Sequence, residues 1–553
     1  MSKQKASDFL FLPLGGAEEI GMNLNLYGYG GKWLIVDCGV TFGDDSTPGV
    51  ELILPDPAWI AERRKDLVGI VATHAHEDHI GAIPYLWPQL GCPVYATPFT
   101  ASVLKRKLQE RDLAKKVEIK PIPVSGSFRI PPFDLELIHL THSIPEPMAI
   151  AVKTPAGTVL HTGDWKFDPD PLIGPVADEA ALRRLGDQGV LALVGDSTNV
   201  FVPGEAGSEA DVRKNLEFLV GRYSERVVVA CFASNVARLE SIALAAKAND
   251  RHAALVGRSL WRMYDSAKEA GYLLDIPPFV SEHDAGFLPR EKVVMICTGS
   301  QGEPRSALAR IATGSHPHVV LEPGDTAIFS SRNIPGNERS IARLQNQLAN
   351  LGVEIVTTAE EAGVHVSGHP ARDELSRMYH WVRPRVAIPV HGEARHIAAH
   401  AKLARECQVP EAVVSENGSI VRLAPGRAEI VERVTAGRLA LDGTQLVPLD
   451  GGAMRARKKL MSHGIAVVTL VVSRGGRLEA DPVVSLQGVV EGDGSEGLIA
   501  DAIEAAAEAF EDLGKAERRD DAAVREAARL AVRRCINAEV GKKPQMEVHV
   551  VRI

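Results

Sequence analysis

The stretch "VATHAHEDHIGAIPYL" (residues 71–86) constrains this chain more than any other. It places His74, His76, Asp78 and His79 within six positions, after an apolar run and before a helical one. Neutral imidazole and carboxylate are the ligands that zinc and manganese take. Alternate residues of an extended segment point the same way, so His74 and His76 can share one ion. Asp78 and His79 then face a neighbouring one. Four donors are too few for two ions, so the fold must bring in others. His142 in "LTHSIPE", Asp164 in "LHTGDW" and His391 in "IPVHGE" each follow a strand-like run. A sheet whose strand ends gather polar clusters along one edge is an α/β layered fold.

The rest of the pattern fits that demand and divides the chain. Up to residue 206, short apolar runs and glycine turns read as strands, with helices after the histidine loop. Residues 207–360 repeat a strand-turn-helix rhythm, the mark of a doubly wound parallel sheet. From residue 361 the histidine-bearing loops return, in "GVHVSGHP" and "VAIPVHGEARH". The reading is an α/β module inserted into a first domain that resumes over 361–425. Residues 426–450, short strands and turns, read as a linker. Residues 451–553 read as a small α+β domain, with Leu498, Ile499, Ile503, Phe510 and Leu513 on one helical face.

The chain has 553 residues, a net charge of −9 and six cysteines, none spaced as C-x-x-C. The cysteines read as buried thiols in a reducing compartment. No apolar run is long enough to span a bilayer and no signal core is visible, so the expected location is cytoplasmic, with no membrane partner. At −9, nucleic-acid contacts would have to be gathered in a groove.

The motifs "GDSTN", "FASNVARLE", "TGSQGEP", "IPGNE", "HVSGHP" and "PVHGEARH" resemble the β-CASP group of metallo-β-lactamase-fold nucleases. Within it, "THSIPE", "HTGDWKFDPDP" and "RARKKLMSHGIAVV" are most similar to the bacterial ribonuclease J family, from about residue 8 to the C-terminus. The resemblance implies a metallo-β-lactamase αββα sandwich, the inserted module and the small last domain. It assigns His74, His76 and His142 to one divalent metal ion, Zn2+ or Mn2+, and Asp78, His79 and His391 to a second. Asp164 bridges, and Asp37 orients the loop from behind. It makes His369 the general acid, Asp196 its partner, and Asp78 a catalytic residue as well as a ligand. The activity implied is RNA phosphodiester hydrolysis in RNA maturation and decay, 5′-to-3′ from 5′-monophosphate ends and also internal. Implied partners are single-stranded RNA, a second copy in a homodimer or homotetramer through the last domain, and other RNA-decay proteins. The chain departs from the family pattern at Arg332 and Asn333, where small or proline-like residues are expected, and at Pro370.

His365, Ser367 and Gly368 are candidates to grip an RNA phosphate. Ser234 and Asn235, at a strand-to-helix turn, offer an anion site that Arg238 would strengthen; helix capping is the competing reading. His396 and His400, four apart on a helix, lack a zincin's glutamate and read as packing or surface residues. His161 reads as a strand-end hydrogen-bonding group. A lactamase or thioester hydrolase needs no 150-residue insert, and a non-catalytic RNA-binding protein needs no complete donor set. A relative acting on DNA or on tRNA precursors is the alternative, because these motifs do not themselves read a 2′-hydroxyl.

Overall fold

The computed structural model describes residue 5, residues 7–492 and residues 494–553. Two compact units emerge. One comprises residues 1–41 and 54–437, the other residues 42–53 and 438–553.

The first unit is built on two sheets. An eight-stranded sheet contains the adjacent strands Phe9–Gly15, Leu24–Tyr29, Lys32–Val36, Leu67–Val71 and Val94–Ala96. A seven-stranded sheet contains Phe133–His139, Met148–Thr154, Gly157–His161, Ala192–Asp196 and Val386–Val390 in that order. One core cluster holds Phe9, Phe11, Leu34, Val36 and Val71 of the first together with Leu135, Ile150, Val194 and Ile388 of the second. The far face of the second sheet packs Leu160 and Leu193 against Leu182, Met378 and Leu403 of its covering helices. Strands covered on both faces must be apolar throughout, and "FLFLPLG" and "VAIPV" are buried at every position. At Tyr29–Lys32 the chain reverses through Gly30 and Gly31, with φ of 62° and 75°. A two-residue turn with both φ positive matches strand twist and favours glycine.

The insert leaves after one strand of the second sheet and returns to the strand beside it. Ala192–Asp196 runs parallel to Val386–Val390, with Asp196 opposite Val390. Between them lies a separate six-stranded, wholly parallel sheet spanning Val227 to Val356.

In the second unit, Ile465–Val472 lies between Val483–Gln487 and Gln545–Arg552. Its burial alternates, and Ala466, Val468 and Leu470 face Leu498, Phe510, Val524 and Val532 of two helices. The short strands expected in the linker segment are present. Glu429–Arg433 pairs with Ser419–Ala424 at the edge of the eight-stranded sheet, and Arg438–Asp442 forms a hairpin with Gln445–Pro448. Among the described residues, no helix is long and apolar enough to cross a membrane.

Candidate metal centre

The candidate donors follow the C-terminal ends of strands, Asp78 and His79 on the one-turn helix Glu77–Ile80, and the pairings bring those ends to one rim. Val36 lies opposite Val71, His161 opposite Val194 and Asp196 opposite Val390, all in parallel register. Asp37, the His74–His79 loop, Asp164 and His391 therefore emerge side by side, where open α/β sheets place ligands. His142 joins them from Phe133–His139, two antiparallel pairings from the strand before Asp164. Asp37 and His391 have φ of 66° and 53°. That left-handed backbone costs of order 1 kcal/mol for a residue with a Cβ. It is held by hydrogen bonds from Asp37 N to Val71 O at 3.0 Å and from His391 N to Gly16 O at 2.6 Å.

The donors form two groups sharing one carboxylate. His76 Nδ1 lies 3.0 Å from both His74 Nε2 and His142 Nε2. Asp164 Oδ2 completes this group, 4.0 Å from His74 Nε2. The same oxygen lies 3.2 Å from His79 Nε2 and 3.6 Å from His391 Nε2. Asp78 Oδ2 lies 3.6 Å from each of those two nitrogens. Ligands at 2.0–2.1 Å in a tetrahedron are about 3.3 Å apart, close to these separations.

Hydrogen bonds behind the rings present a lone pair to each group. His142 Nδ1 donates to the Gly368 carbonyl at 2.5 Å, so Nε2 carries no proton when the ring is neutral. His79 Nδ1 donates to Asp37 Oδ2 at 2.7 Å. Thr73 Oγ1 donates to the same oxygen at 2.9 Å and accepts from His74 Nδ1 at 2.9 Å. Asp37 thus orients one imidazole of each group, directly and through Thr73, as metal-binding histidines require. Asn23 holds His391 Nδ1, with its Oδ1 accepting at 3.1 Å. Asn23 and Thr73 were invisible as site residues in the sequence, because nothing in "GMNLN" or in one threonine marks a hydrogen-bond partner of a distant ring.

The charges fit a cation. Burial, then neighbouring imidazoles, hold His74 and His142 well below the ordinary histidine value; burial takes His76 to about 4. Asp164 is held well below the carboxylate range, against burial, by His391, His79 and His369. His79 is raised well above its ordinary value against burial by Asp164, Asp78 and Asp37. Three carboxylates around one ring call for positive charge, which divalent ions supply when these nitrogens are unprotonated.

Beside this cluster, His369 Nδ1 meets Asp196 Oδ2 at 2.8 Å. Against the cost of burial, Asp196 and Asp164 raise His369 to about 9. Asn199 Nδ2 donates to the His369 carbonyl at 3.0 Å and to Ser367 Oγ at 2.8 Å, fixing the loop. Gly368 allows the close approach. A Cβ there would lie 2.7 Å from His142 Cε1.

The phosphate-site candidates separate. His365 Nδ1 is buried and among the described residues has no hydrogen-bond partner, and Ser367 Oγ accepts from Asn199 and from His369 N, leaving its own proton to donate. Ser234 is half-buried before the helix Val236–Ala248. Asn235 and Arg238 must be corrected. Asn235 Oδ1 caps that helix by accepting from Arg238 N at 2.9 Å. Arg238 is fully buried, paired with Glu209 at 3.0 Å and donating to the Ser330 carbonyl at 2.8 Å. Glu209 N in turn donates to Asp168 Oδ2, which pairs with Lys166 at 2.8 Å. This network ties the insert to the sandwich, and its guanidinium cannot reach a substrate. His400 is buried between Ser197 Oγ and the Tyr379 hydroxyl, and His161 meets the Tyr27 hydroxyl at 2.9 Å.

Comparison with known proteins agrees with this architecture part by part. Residues 23–218 match the metallo-beta-lactamase superfamily, 224–348 the ribonuclease J beta-CASP domain, 360–414 the Zn-dependent metallo-hydrolase RNA specificity domain and 452–553 the ribonuclease J C-terminal domain. A Ribonuclease J of Sinorhizobium meliloti is 44% identical over 551 residues, 99% of this chain and 98% of that one. A Ribonuclease J of Mycolicibacterium smegmatis is 43% identical over 474 residues, 85% of this chain and 84% of that one. A solved structure of a protein of unknown function from Enterococcus faecalis V583 shares the fold, with a TM-score of 0.51 at 15% identity, over 75% of this chain and 99% of that one. With its length spanned by these relatives and its donors on the rim where the sandwich's strands end, the chain belongs to the ribonuclease J family.

Proposed function

We infer that the protein is a metal-dependent ribonuclease that works 5′-to-3′ from 5′-monophosphorylated ends and also cuts internally. The observation that carries this reading is the meeting of seven donors beside the His369–Asp196 pair. His74, His76 and His142 would hold one divalent ion and Asp78, His79 and His391 a second, with Asp164 common to both. Bound there, such ions supply a water nucleophile at neutral pH and offset the charge that builds on phosphorus.

The chain's own groups do the rest. Asp196 keeps His369 protonated and fixes Nδ1, so Nε2–H is the proton to give to the leaving 3′-oxygen. His365, the Ser367 hydroxyl and Ser234 are the groups left to hold a 5′-phosphate. Exposed Met461, Val483 and Ile553 in the last domain support self-association into a dimer or tetramer, read by light scattering. The proposed location is the cytoplasm.

The test is digestion of 3′-labelled RNA bearing a 5′-monophosphate or a 5′-triphosphate, beside matched DNA, with and without chelator. The 5′-monophosphate RNA is expected to be consumed fastest, with activity lost to chelator and restored by Zn2+ or Mn2+. Chelator-resistant cleavage, or equal cleavage of DNA, would overturn the reading.

A further inference from the structure

On the insert side of the same rim, Arg332 stands two hydrogen bonds from His369. Its Nη1 donates to Asn199 Oδ1, and Asn199 holds the His369 carbonyl. The loop that carries it is pinned, since Gln301 Nε2 donates to the Arg332 carbonyl at 2.8 Å and Gln301 Oε1 accepts from Ile334 N at 2.9 Å. The side chain is exposed, and among the described residues its partner is the Asn199 amide oxygen, with no carboxylate ion-paired to it. Its charge reaches His396. That ring is held below its ordinary value by burial and, against Glu393, by Arg395 and Arg332.

Two residues beyond Asn199, Phe201 is 54% exposed. Its ring lies 5.2 Å from that of His396, and the Arg395 guanidinium lies 5.5 Å over it. A single exposed phenylalanine means little. This one is fixed from below by a buried histidine; the guanidinium over it, Arg395, is held by Glu393 at 3.3 Å, while Arg332, whose charge reaches the same histidine, has no such partner among the described residues. A flat apolar ring two residues along the chain from Asn199, where the Arg332 guanidinium is anchored, matches a base and its phosphate. It does not match an acidic protein surface, which would offer the ring nothing.

We propose that Phe201 and Arg332 form a subsite for one nucleotide of the single-stranded RNA flanking the reacting phosphate, the base stacking on Phe201 and the backbone phosphate taken by Arg332. The subsite rests on the ribonuclease reading, and it adds a grip on the strand independent of the 5′ end. Stacking tolerates any base, so the subsite holds the strand without selecting sequence.

The experiment is binding of a 3′-fluorescein single-stranded RNA, followed by anisotropy over a range of KCl concentrations. The metal-loaded His369→Ala protein is the slow-turnover parent. Adding Arg332→Ala should weaken binding and reduce the log–log salt slope by about 0.7, the value for one lost phosphate contact on a single strand. Adding Phe201→Ala should weaken binding roughly 5- to 100-fold with the slope unchanged, and Phe201→Trp should restore it. Affinities within twofold of the parent for both alanine variants would overturn the proposal. So would an Arg332→Ala protein with the parent's slope, or a Phe201→Trp protein as weak as Phe201→Ala. Binding decides the subsite whatever the wild-type protein cleaves, so failure of the ribonuclease reading shows separately, as RNA bound but left intact.

Discussion

His369 Nδ1 lies 2.8 Å from Asp196 Oδ2 and 3.8 Å from Asp164 Oδ2, which makes one imidazole the neighbour of both the rim's buried aspartate and the carboxylate shared by the donor groups. The pair unites chain segments 173 residues apart, because the insert departs at Asp196 and the chain returns through the His369 loop. Both carboxylates favour the charged form of this half-buried ring.

The first prediction concerns that proton. His369 is raised to about 9 against burial, with Asp196 the largest favourable cause. An acid works only when protonated, so activity is present below that value and lost as pH rises through it. Asp196→Asn removes the anion and lowers the pKa, so the alkaline limb of the kcat profile should move to lower pH. His369→Ala should reduce kcat by about 10²–10⁴-fold. An unmoved alkaline limb in Asp196→Asn contradicts the assignment.

Gly368→Ala tests how His142 is seated. The new Cβ would meet His142 at 2.7 Å and displace the ring or the loop. Metal analysis should show loss from the His74–His76–His142 group before the other, with kcat reduced at least about tenfold, since displaced ligand support costs 10–100-fold in affinity or activity.

Asp37→Asn separates charge from backbone. Asparagine tolerates positive φ, so the left-handed turn survives. The carboxylate that accepts from His79 and Thr73 is lost. Metal affinity, measured by competition with a chromophoric chelator, should fall about 10- to 100-fold.

Arg238→Ala should act on stability rather than on substrate. Removing one partner of its buried pair with Glu209 should cost about 3–5 kcal/mol in denaturant unfolding. The preference for a 5′-monophosphate over a 5′-triphosphate in the folded fraction should be unchanged. A selective loss of that preference would return Arg238 to the phosphate pocket.

The metal loop was legible because its information is local. His74, His76, Asp78 and His79 announce themselves by spacing, and His142, Asp164 and His391 by following apolar strands. Arg238 was misread for the opposite reason. A basic residue after a strand-to-helix turn looks free until the fold brings Glu209, 29 residues away, against it. Asn23 went unseen because its partner, His391, is 368 residues distant. Residues 429–448 were legible as short strands and turns, but not which neighbours they pair with, because charged side chains give little apolar pattern to fix a partner.

We infer that Asp164 and His391 complete a cage for divalent ions on which RNA hydrolysis depends. The direct measurement is metal content per chain together with the cleavage rate of 3′-labelled, 5′-monophosphorylated RNA, in wild-type protein and in the Asp164→Ala/His391→Ala double variant. Two ions are expected per wild-type chain, and in the variant fewer ions and cleavage lowered by at least about 10³-fold. Wild-type cleavage rates in the double variant would contradict it.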